Sequence, residues 1–130
     1  MPGFLSVTQG QLQQISPLAL AYLGDAVYEL YIRSRYLVPP KRSHTYHNLV
    51  VSQVRAETQA LHLRFLIPRL NSTELEIVRR GRNAATKHPK RVKPEIYQQA
   101  TSLEALLGYL YLTDAERLYQ LLQQLQLETN

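Results

Sequence analysis

Apolar positions along the chain recur with the spacing of amphipathic helices, in stretches separated by proline, glycine and capping residues. The first long stretch runs from Pro17 to Leu37. It has Ser16 as an N-cap and proline at the first helical position, and Val38-Pro39-Pro40 stops it. No stretch shows the sustained alternation of apolar and polar residues that is typical of a strand. The pattern therefore predicts an all-α fold.

Further helices are predicted from the same signals. They are a second helix from Ser43 to about Leu66, a third that begins with a capping box of Thr73 and Glu76 and ends near Ala85, a fourth from Pro94 to Leu112, and a fifth that begins with a capping box of Thr113 and Glu116 and ends near Leu127. The fourth is apolar on nearly all sides, so we expect it at the centre of a fold of five main helices.

Length and composition predict one domain over residues 1–130. A chain of 130 residues with 45% hydrophobic residues buries enough surface to fold without disulfides or a structural metal. It has no cysteine, which excludes thiolate metal sites and a cysteine nucleophile. Its apolar runs are too short to span a membrane and no basic residue precedes Arg33, so we expect a cytoplasmic protein whose last residues, 128–130, fray.

The positive charge is concentrated in one segment, residues 79–93, which we call the basic strip. The chain has 15 Lys and Arg against 10 Asp and Glu, for a net charge of +5. The strip contains no acidic residue and holds Arg79, Arg80, Arg82, Lys87, Lys90, Arg91 and Lys93. The strip predicts a polyanionic partner, most often nucleic acid; the alternative is a solvated basic loop with no partner.

Asp25 is unexpected in the middle of the first helix. It lies in ALAYLGDAVYELY, where aspartate is a poor helix former. Burying a carboxylate among apolar neighbours is costly unless a cation or strong hydrogen bonds compensate the charge. We interpret Asp25 either as one half of an ion pair with a basic residue of another helix or as a functional carboxylate.

Glu104 raises the same question in TSLEALLGYLYL of the fourth helix. Each carboxylate has a helical glycine close by, Gly24 beside Asp25 and Gly108 one turn beyond Glu104. Glycine is unfavourable inside a helix, and a close helix crossing would justify both. We expect the two helices to cross there and bring the carboxylates together, where they would need a proton or a cation such as Mg²⁺ or Mn²⁺. Such a site beside a basic strip is typical of a phosphodiester hydrolase.

Four segments resemble the ribonuclease III family. LALAYLGDAVYELYIR at 18–33 and LEALLGYLYL at 103–112 resemble its two catalytic motifs. VSQVRAETQA at 51–60 and RRGRNA at 79–84 are similar to the short branch of the family, Mini-ribonuclease III, which has no double-stranded-RNA-binding domain. The resemblance implies that Asp25 is the catalytic aspartate and Glu104 the metal-binding glutamate. Larger enzymes of the family have two further carboxylates, at positions that hold Ala21 and Thr101 here.

The resemblance also implies an activity and its partners. It implies a homodimeric endoribonuclease that depends on Mg²⁺, with Mn²⁺ as a substitute, needs no small-molecule cofactor and has no membrane partner. The substrate it implies is double-stranded RNA, chiefly the precursor of 23S ribosomal RNA, cut to leave 5′-phosphate and 3′-hydroxyl ends. The basic strip would hold the duplex, and Arg82 and Asn83 would contact its backbone and sugars.

Two other interpretations stay open. An RNase III-like domain without catalysis would serve as an RNA-binding or ribosome-associated module, and the missing pair of carboxylates favours it. A helical DNA-binding or protein-interaction domain would use the basic strip alone, but it leaves Asp25 unexplained. Among the remaining residues, Glu29 is expected in a surface ion pair. His47 is expected to be an ordinary residue near a helix start rather than an RNA contact.

Overall fold

The computed structural model describes residues 5–127, and these residues form helices and connecting segments without any strand. The helices are α1 (Gln9–Gln14), α2 (Pro17–Leu37), α3 (Ser43–Val54), α4 (Ala56–Leu66), α5 (Ser72–Ala84), α6 (Pro94–Thr113) and α7 (Ala115–Gln123), with a 3₁₀ turn at Ile67–Arg69. The predicted all-α fold is confirmed. The fraying expected of residues 128–130 lies outside the described residues.

Helix α2 has the predicted bounds, and its ends show why. The Oγ of Ser16 accepts a hydrogen bond from the backbone N–H of Ala19 at 3.1 Å, which caps the helix, and Pro17 occupies its first turn. At the other end Val38 adopts an extended conformation before Pro39. Both ends could be predicted from the sequence because serine, proline and the residue before proline affect the backbone next to them.

The predicted second helix is broken into α3 and α4 at Arg55, whose backbone is extended (φ −72°, ψ 156°). A break frees backbone carbonyls that need new donors. The Thr58 hydroxyl donates to the Ser52 carbonyl at 2.6 Å and the Tyr28 hydroxyl to the Gln53 carbonyl at 2.6 Å. The Gln59 amide donates to the Val54 carbonyl at 2.9 Å. Side chains of α2 and α4 therefore stabilise a break that no proline or glycine marks.

Both predicted capping boxes were wrong by one or two residues. Helix α5 is capped by Asn71: its side-chain oxygen accepts from the backbone N–H of Glu74, and its own backbone N–H donates to the Glu74 carboxylate. Helix α7 is capped by Asp114, which accepts from the backbone N–H of Arg117, and it ends at Gln123 rather than near Leu127. Glu74 is buried and also accepts two hydrogen bonds from the Arg117 guanidinium, at 2.8 and 2.9 Å. This tertiary ion pair fixes the start of α5 against α7.

Helix α6 lies at the centre of the fold, as predicted. It packs against α2, α4, α5 and α7. Its buried residues are Ala100, Thr101, Ser102, Leu103, Ala105, Leu106, Leu107, Gly108 and Leu110. Leu61 on α4 is 56% exposed, so this apolar side chain lies outside the core. Within residues 5–127, no helix is long and apolar enough to cross a membrane.

Candidate active site

Helices α2 and α6 approach each other backbone to backbone at two glycines. A Cβ atom on Gly24 would lie 1.7 Å from the backbone oxygen of Glu104, and one on Gly108 would lie 2.0 Å from the backbone oxygen of Leu20. Neither position has room for any side chain. The crossing predicted from the two glycines is therefore confirmed, and it sets Asp25 on α2 beside Glu104 on α6.

The two carboxylates differ in their surroundings. Glu104 is half-buried. Asp25 is exposed, so the expectation of a carboxylate buried within the helix was wrong for this residue. Gly24 takes the buried position beside it and turns Asp25 to the surface. In this pair, solvent and a substrate can reach the Asp25 carboxylate, and the Glu104 carboxylate lies deeper in the fold.

The electrostatics of the pair favour a bound proton or cation. Burial raises the pKa of the Glu104 carboxyl to about 8, and the negative charge of Asp25 and hydrogen bonding with its carboxyl add to the rise. A hydrogen bond from Gln59 lowers this pKa in part. Glu104 therefore binds a proton at neutral pH unless another positive group compensates its charge.

No basic side chain within residues 5–127 forms a salt bridge with Asp25 or Glu104. The salt bridges of the described part of the chain join Arg33 to Glu29, Arg79 to Glu76 and Arg117 to Glu74. The alternative interpretation of Asp25, as half of an ion pair with another helix, is thus overturned. The functional carboxylate stays a prediction for Asp25.

Gln59 affects the electrostatics of this site, and the sequence reasoning missed it. It lies on α4 at 2% exposure, its amide nitrogen donates to the Val54 carbonyl at 2.9 Å, and it lowers the pKa of Glu104 in part. Its Oε1 is buried and has no hydrogen-bond partner among residues 5–127. A neutral glutamine is not unusual inside a helix, whereas the aspartate at position 25 is. The one sequence signal for Gln59 was its position in VSQVRAETQA, a segment that is similar to the family.

The residues at this crossing fit a divalent cation of the Mg²⁺ type. All side-chain donors are oxygens, and Mg²⁺ is commonly held by one or two carboxylates, with water and substrate phosphate as the other ligands. No cluster of three or more His, Asp or Glu side chains that suits a metal ion occurs among residues 5–127. Ala21 and Thr101, where larger family members have carboxylates, are both buried. A cation here would depend on Asp25 and Glu104.

The basic strip is displayed at the surface next to this core. All of its predicted contact residues are exposed: Arg79, Arg80, Arg82 and Asn83 on α5, Lys87, Lys90 and Arg91 in the following loop, and Lys93 at the cap of α6. Gly81 is buried between them, and a Cβ on it would lie 3.0 Å from the Cβ of Ala105. Helix α5 therefore contacts α6 at the residue that follows Glu104, which joins the strip to the carboxylate site.

The two secondary candidates lie together at the edge of α2 and α3. Glu29 pairs with Arg33 at 2.9 Å on the same helix, so the expected surface ion pair is confirmed. His47 is exposed and lines a small cavity together with Glu29, Arg33 and Tyr46. The Tyr46 hydroxyl donates to the Arg33 carbonyl at 2.7 Å, which holds α3 on α2. These contacts describe helix packing at the edge of the site.

The chain is similar to known proteins over most of its length. Residues 18–115 match the Ribonuclease III domain family. The chain is 59% identical to the Mini-ribonuclease 3 of Synechocystis over 89% of this chain and 81% of the relative. It is 61% identical to the Mini-ribonuclease 3 of Synechococcus over 87% and 82% of the two chains. The crystal structure of a Fusobacterium nucleatum protein superposes with a TM-score of 0.79 at 32% identity, covering 85% of this chain and 91% of that one.

Proposed function

Because the chain belongs to the ribonuclease III family and is an endoribonuclease of the Mini-ribonuclease 3 type, we propose that Asp25 and Glu104 form its catalytic metal site. The observation that carries this proposal is the glycine crossing of α2 and α6, which places two carboxylates together without a basic partner among residues 5–127. Like charges at short range call for a cation, and the oxygen donors favour Mg²⁺ or Mn²⁺.

We assign different roles to the two carboxylates because they differ in exposure. A bound divalent cation supplies charge neutralisation at the scissile phosphate and lowers the pKa of an attacking water. Asp25 is exposed at the surface, so its carboxylate can approach an incoming phosphate group. Glu104, half-buried, holds its charge in a medium of lower dielectric constant, where its attraction for a cation is stronger. The resemblance to ribonuclease III implies that hydrolysis leaves 5′-phosphate and 3′-hydroxyl ends.

The substrate we propose is double-stranded RNA, with the precursor of 23S ribosomal RNA as the biological target. Duplex RNA is recognised through its shape, phosphates and 2′-hydroxyls, because its deep major groove hides the base edges. The exposed cations of the basic strip, together with Asn83, suit that mode of recognition. Gly81 of α5 packs against Ala105 of α6, the residue that follows Glu104, and this contact brings the helix that carries part of the strip to the helix that carries Glu104.

We propose that two copies of the chain form the active enzyme in the cytoplasm. Leu18, Tyr22 and Leu30 follow one another along α2 near helical spacing, and they are 50%, 85% and 66% exposed. Large apolar side chains aligned on one exposed face favour a protein interface. Asp25 is exposed on the same helix, so a pair of chains joined through α2 would carry its two sites close to each other.

The test compares cleavage of labelled duplex RNA by the wild type, Asp25→Asn and Glu104→Gln, with Mg²⁺ and with EDTA. We expect cutting that requires the metal and that either substitution abolishes, while far-UV circular dichroism and duplex binding stay as in the wild type. Glu29→Gln is the matched control, since Glu29 is a carboxylate of α2 engaged with Arg33. Full cleavage by both site variants would overturn the proposed site.

A catalytically inactive RNA-binding or ribosome-associated module is the second candidate, and buried Ala21 and Thr101 favour it because they leave fewer possible metal ligands. Precursor ribosomal RNA, alone and in ribosomal context, distinguishes the two. A folded wild type that binds this RNA but cuts it under no metal condition would support the binding module.

A further inference from the structure

A groove between α4, α5 and the start of α6 lies outside the carboxylate site. It consists of two adjoining cavities of about 420 and 710 Å³, and Glu95 and Gln99 of α6 line both of them. Cavities of this volume are typical of sites for small molecules. Each can therefore take a unit of the size of one nucleotide, but neither can take a double helix.

The walls of this groove are positively charged. Arg64 of α4 and Lys93 at the cap of α6 line the larger cavity, and Arg82 of α5 lines the smaller one. All three are exposed, and none of them forms a salt bridge within residues 5–127. Against them stands the carboxylate of Glu95. The excess of positive charge favours a ligand that carries phosphate groups.

Arg64 is held in place by a neutral partner. Its Nη1 donates to Oε1 of Gln99 at 2.7 Å. The arginines in salt bridges of the described chain, such as Arg117 with Glu74, have their charge compensated by a carboxylate. Glutamine orients the guanidinium without compensating its charge, and the guanidinium has further N–H groups for a phosphate. A side chain that is already oriented loses less conformational entropy when a ligand binds.

The groove also offers apolar and amide surfaces. Leu63 and Val78, both buried, and Ile96, half-buried, contribute to its lining. The amide side chains of Gln98 and Gln99 stand in the same walls. An unpaired nucleotide has an apolar base face, polar base edges and a phosphate, whereas the bases of a duplex are stacked and paired. The lining therefore suits an unpaired nucleotide better than a phosphate ion.

We propose that this groove binds the unpaired strand of RNA that flanks the duplex to be cut. The inference rests on the proposed function, in which the basic strip holds the duplex. Arg82 and Lys93 belong both to the strip and to the groove, so a strand that leaves the duplex meets continuous positive charge.

The position of the groove on α6 favours a single strand over a longer duplex. Glu95 and Glu104 are nine residues apart on this helix, and at about 100° per residue they lie on opposite sides of it. A stiff duplex seated at Glu104 would not fill a groove on the other side of α6. A flexible single strand can pass around the start of the helix and enter it.

The test compares labelled RNAs with the same paired region, one blunt and the others with an unpaired flank at the 5′ or the 3′ end. Binding is measured by fluorescence anisotropy in EDTA, and the RNA is checked for cutting on a gel. We expect a flank to tighten binding to the wild type by about tenfold. Arg64→Met should remove this gain and leave the affinity for the blunt duplex unchanged. For the flanked RNA, the slope of log affinity against log salt concentration should fall by about 0.7.

Arg69→Met is the matched control, since it removes the same charge five residues further along the chain. The Arg69 guanidinium lies 3.9 Å from the centre of the Phe65 ring, and we expect this variant to keep the full gain from the flank. Gln99→Met keeps every charge but removes the acceptor that orients Arg64. It should lose part of the gain without a change in the salt slope. Arg64→Gln replaces Arg64→Met if the latter does not fold.

The outcomes separate this inference from the function on which it rests. Equal binding of blunt and flanked RNA by the wild type, or an undiminished gain in Arg64→Met, would overturn the groove as a strand site and leave duplex binding by the strip intact. Equal losses in the Arg64 and Arg69 variants would also overturn it, because they would indicate a general effect of charge. If Arg64→Met changed only the cleavage of precursor RNA within ribosomal particles, the occupant would be a protein and not RNA. A folded wild type that binds none of these RNAs would refute the proposed substrate itself.

Discussion

The backbone oxygen of Glu104 lies so close to Gly24 that a Cβ atom on this residue would be only 1.7 Å from it. Gly24 therefore sets the closeness of the two helices that carry the candidate site. The reciprocal contact, Gly108 against the Leu20 oxygen, makes the crossing symmetrical. Both contacts are with backbone atoms, which cannot rotate out of the way as a side chain can.

Replacing Gly24 or Gly108 by alanine should destabilise the protein by about 3 kcal/mol or more, because the helices must separate to admit a methyl group. Gly10→Ala is the matched control, since a Cβ on this helical glycine meets nothing within 4 Å. That variant should be neutral or slightly more stable, as alanine is the better helix former. Chemical denaturation measures all three, and a Gly24→Ala protein as stable as the wild type would contradict the crossing.

The metal-free protein should lose stability as pH rises. The pKa of Glu104 is raised from 4.5 to about 8 in the fold, so the folded state holds a proton that the unfolded state has released between these values. The stabilisation is complete below pH 4.5 and disappears as pH passes through about 8. Melting temperatures in EDTA from pH 5 to pH 9 should therefore decline by several degrees.

Glu104→Gln should remove this decline, because its amide does not ionise. Asp25→Asn should reduce it, since the charge of Asp25 contributes to the raised pKa of Glu104. A Glu104→Gln protein with the same dependence on pH as the wild type would show that another group is responsible.

The buried pair of Glu74 and Arg117 should be a main support of the fold. Arg117→Met leaves the Glu74 carboxylate buried with only its capping contacts, which should cost about 3 kcal/mol of unfolding free energy. Hydrogen bonding from Arg117 lowers the pKa of Glu74, so its contribution is present above the usual pKa of a glutamate and is lost as pH falls through the lowered value. The difference in stability between the wild type and the variant should thus be largest near neutral pH and should narrow as the solution is made acidic.

Arg79→Met provides the comparison for that pair, since Arg79 and its partner Glu76 are both half-exposed on the surface. Its stability should match that of the wild type. Urea denaturation at neutral pH measures the difference, and equal losses in the two variants would contradict the role given to burial.

Binding of duplex RNA should weaken steeply with salt, and the basic strip should account for the slope. In an Asp25→Asn background, which is expected to bind without cutting, replacing Lys87 or Lys90 by alanine should reduce the slope of log affinity against log salt concentration by about one each. Arg69 is the control, because its guanidinium lies 3.9 Å from the centre of the Phe65 ring and outside the strip. Slopes that do not change in the strip variants would place RNA binding elsewhere.

The sequence predicted the parts of the fold that depend on local chemistry or on a costly residue. Helix α2 has its predicted ends because Ser16 and Pro39 act on neighbouring backbone atoms. The candidate site was predicted because Asp25 and the two glycines are unfavourable inside a helix, and because a carboxylate such as Glu104 is costly in a helix that is apolar on nearly all sides. The exposure of Asp25 depends on how α2 is rotated in the fold, which the sequence does not specify.

The features that were missed depend on distant partners. Two overlapping capping boxes are possible at the start of α5, and the one that forms is the one whose glutamate, Glu74, meets Arg117 of α7. The break at Arg55 has no local signal, since donors from Tyr28, Thr58 and Gln59 stabilise it. Such pairings become visible only when the helices are assembled.

The break between α3 and α4 also makes the fold sensitive to the number of residues at this point of the chain. Helix α4 turns by about 100° per residue, so one residue inserted or deleted next to Arg55 would rotate every side chain of α4 by that angle if the helix kept its place. Gln59 would then leave the Val54 carbonyl, and its position would pass to Thr58 after an insertion or to Ala60 after a deletion. Substitutions at exposed Arg55 should therefore be tolerated far better than any change in the number of residues there.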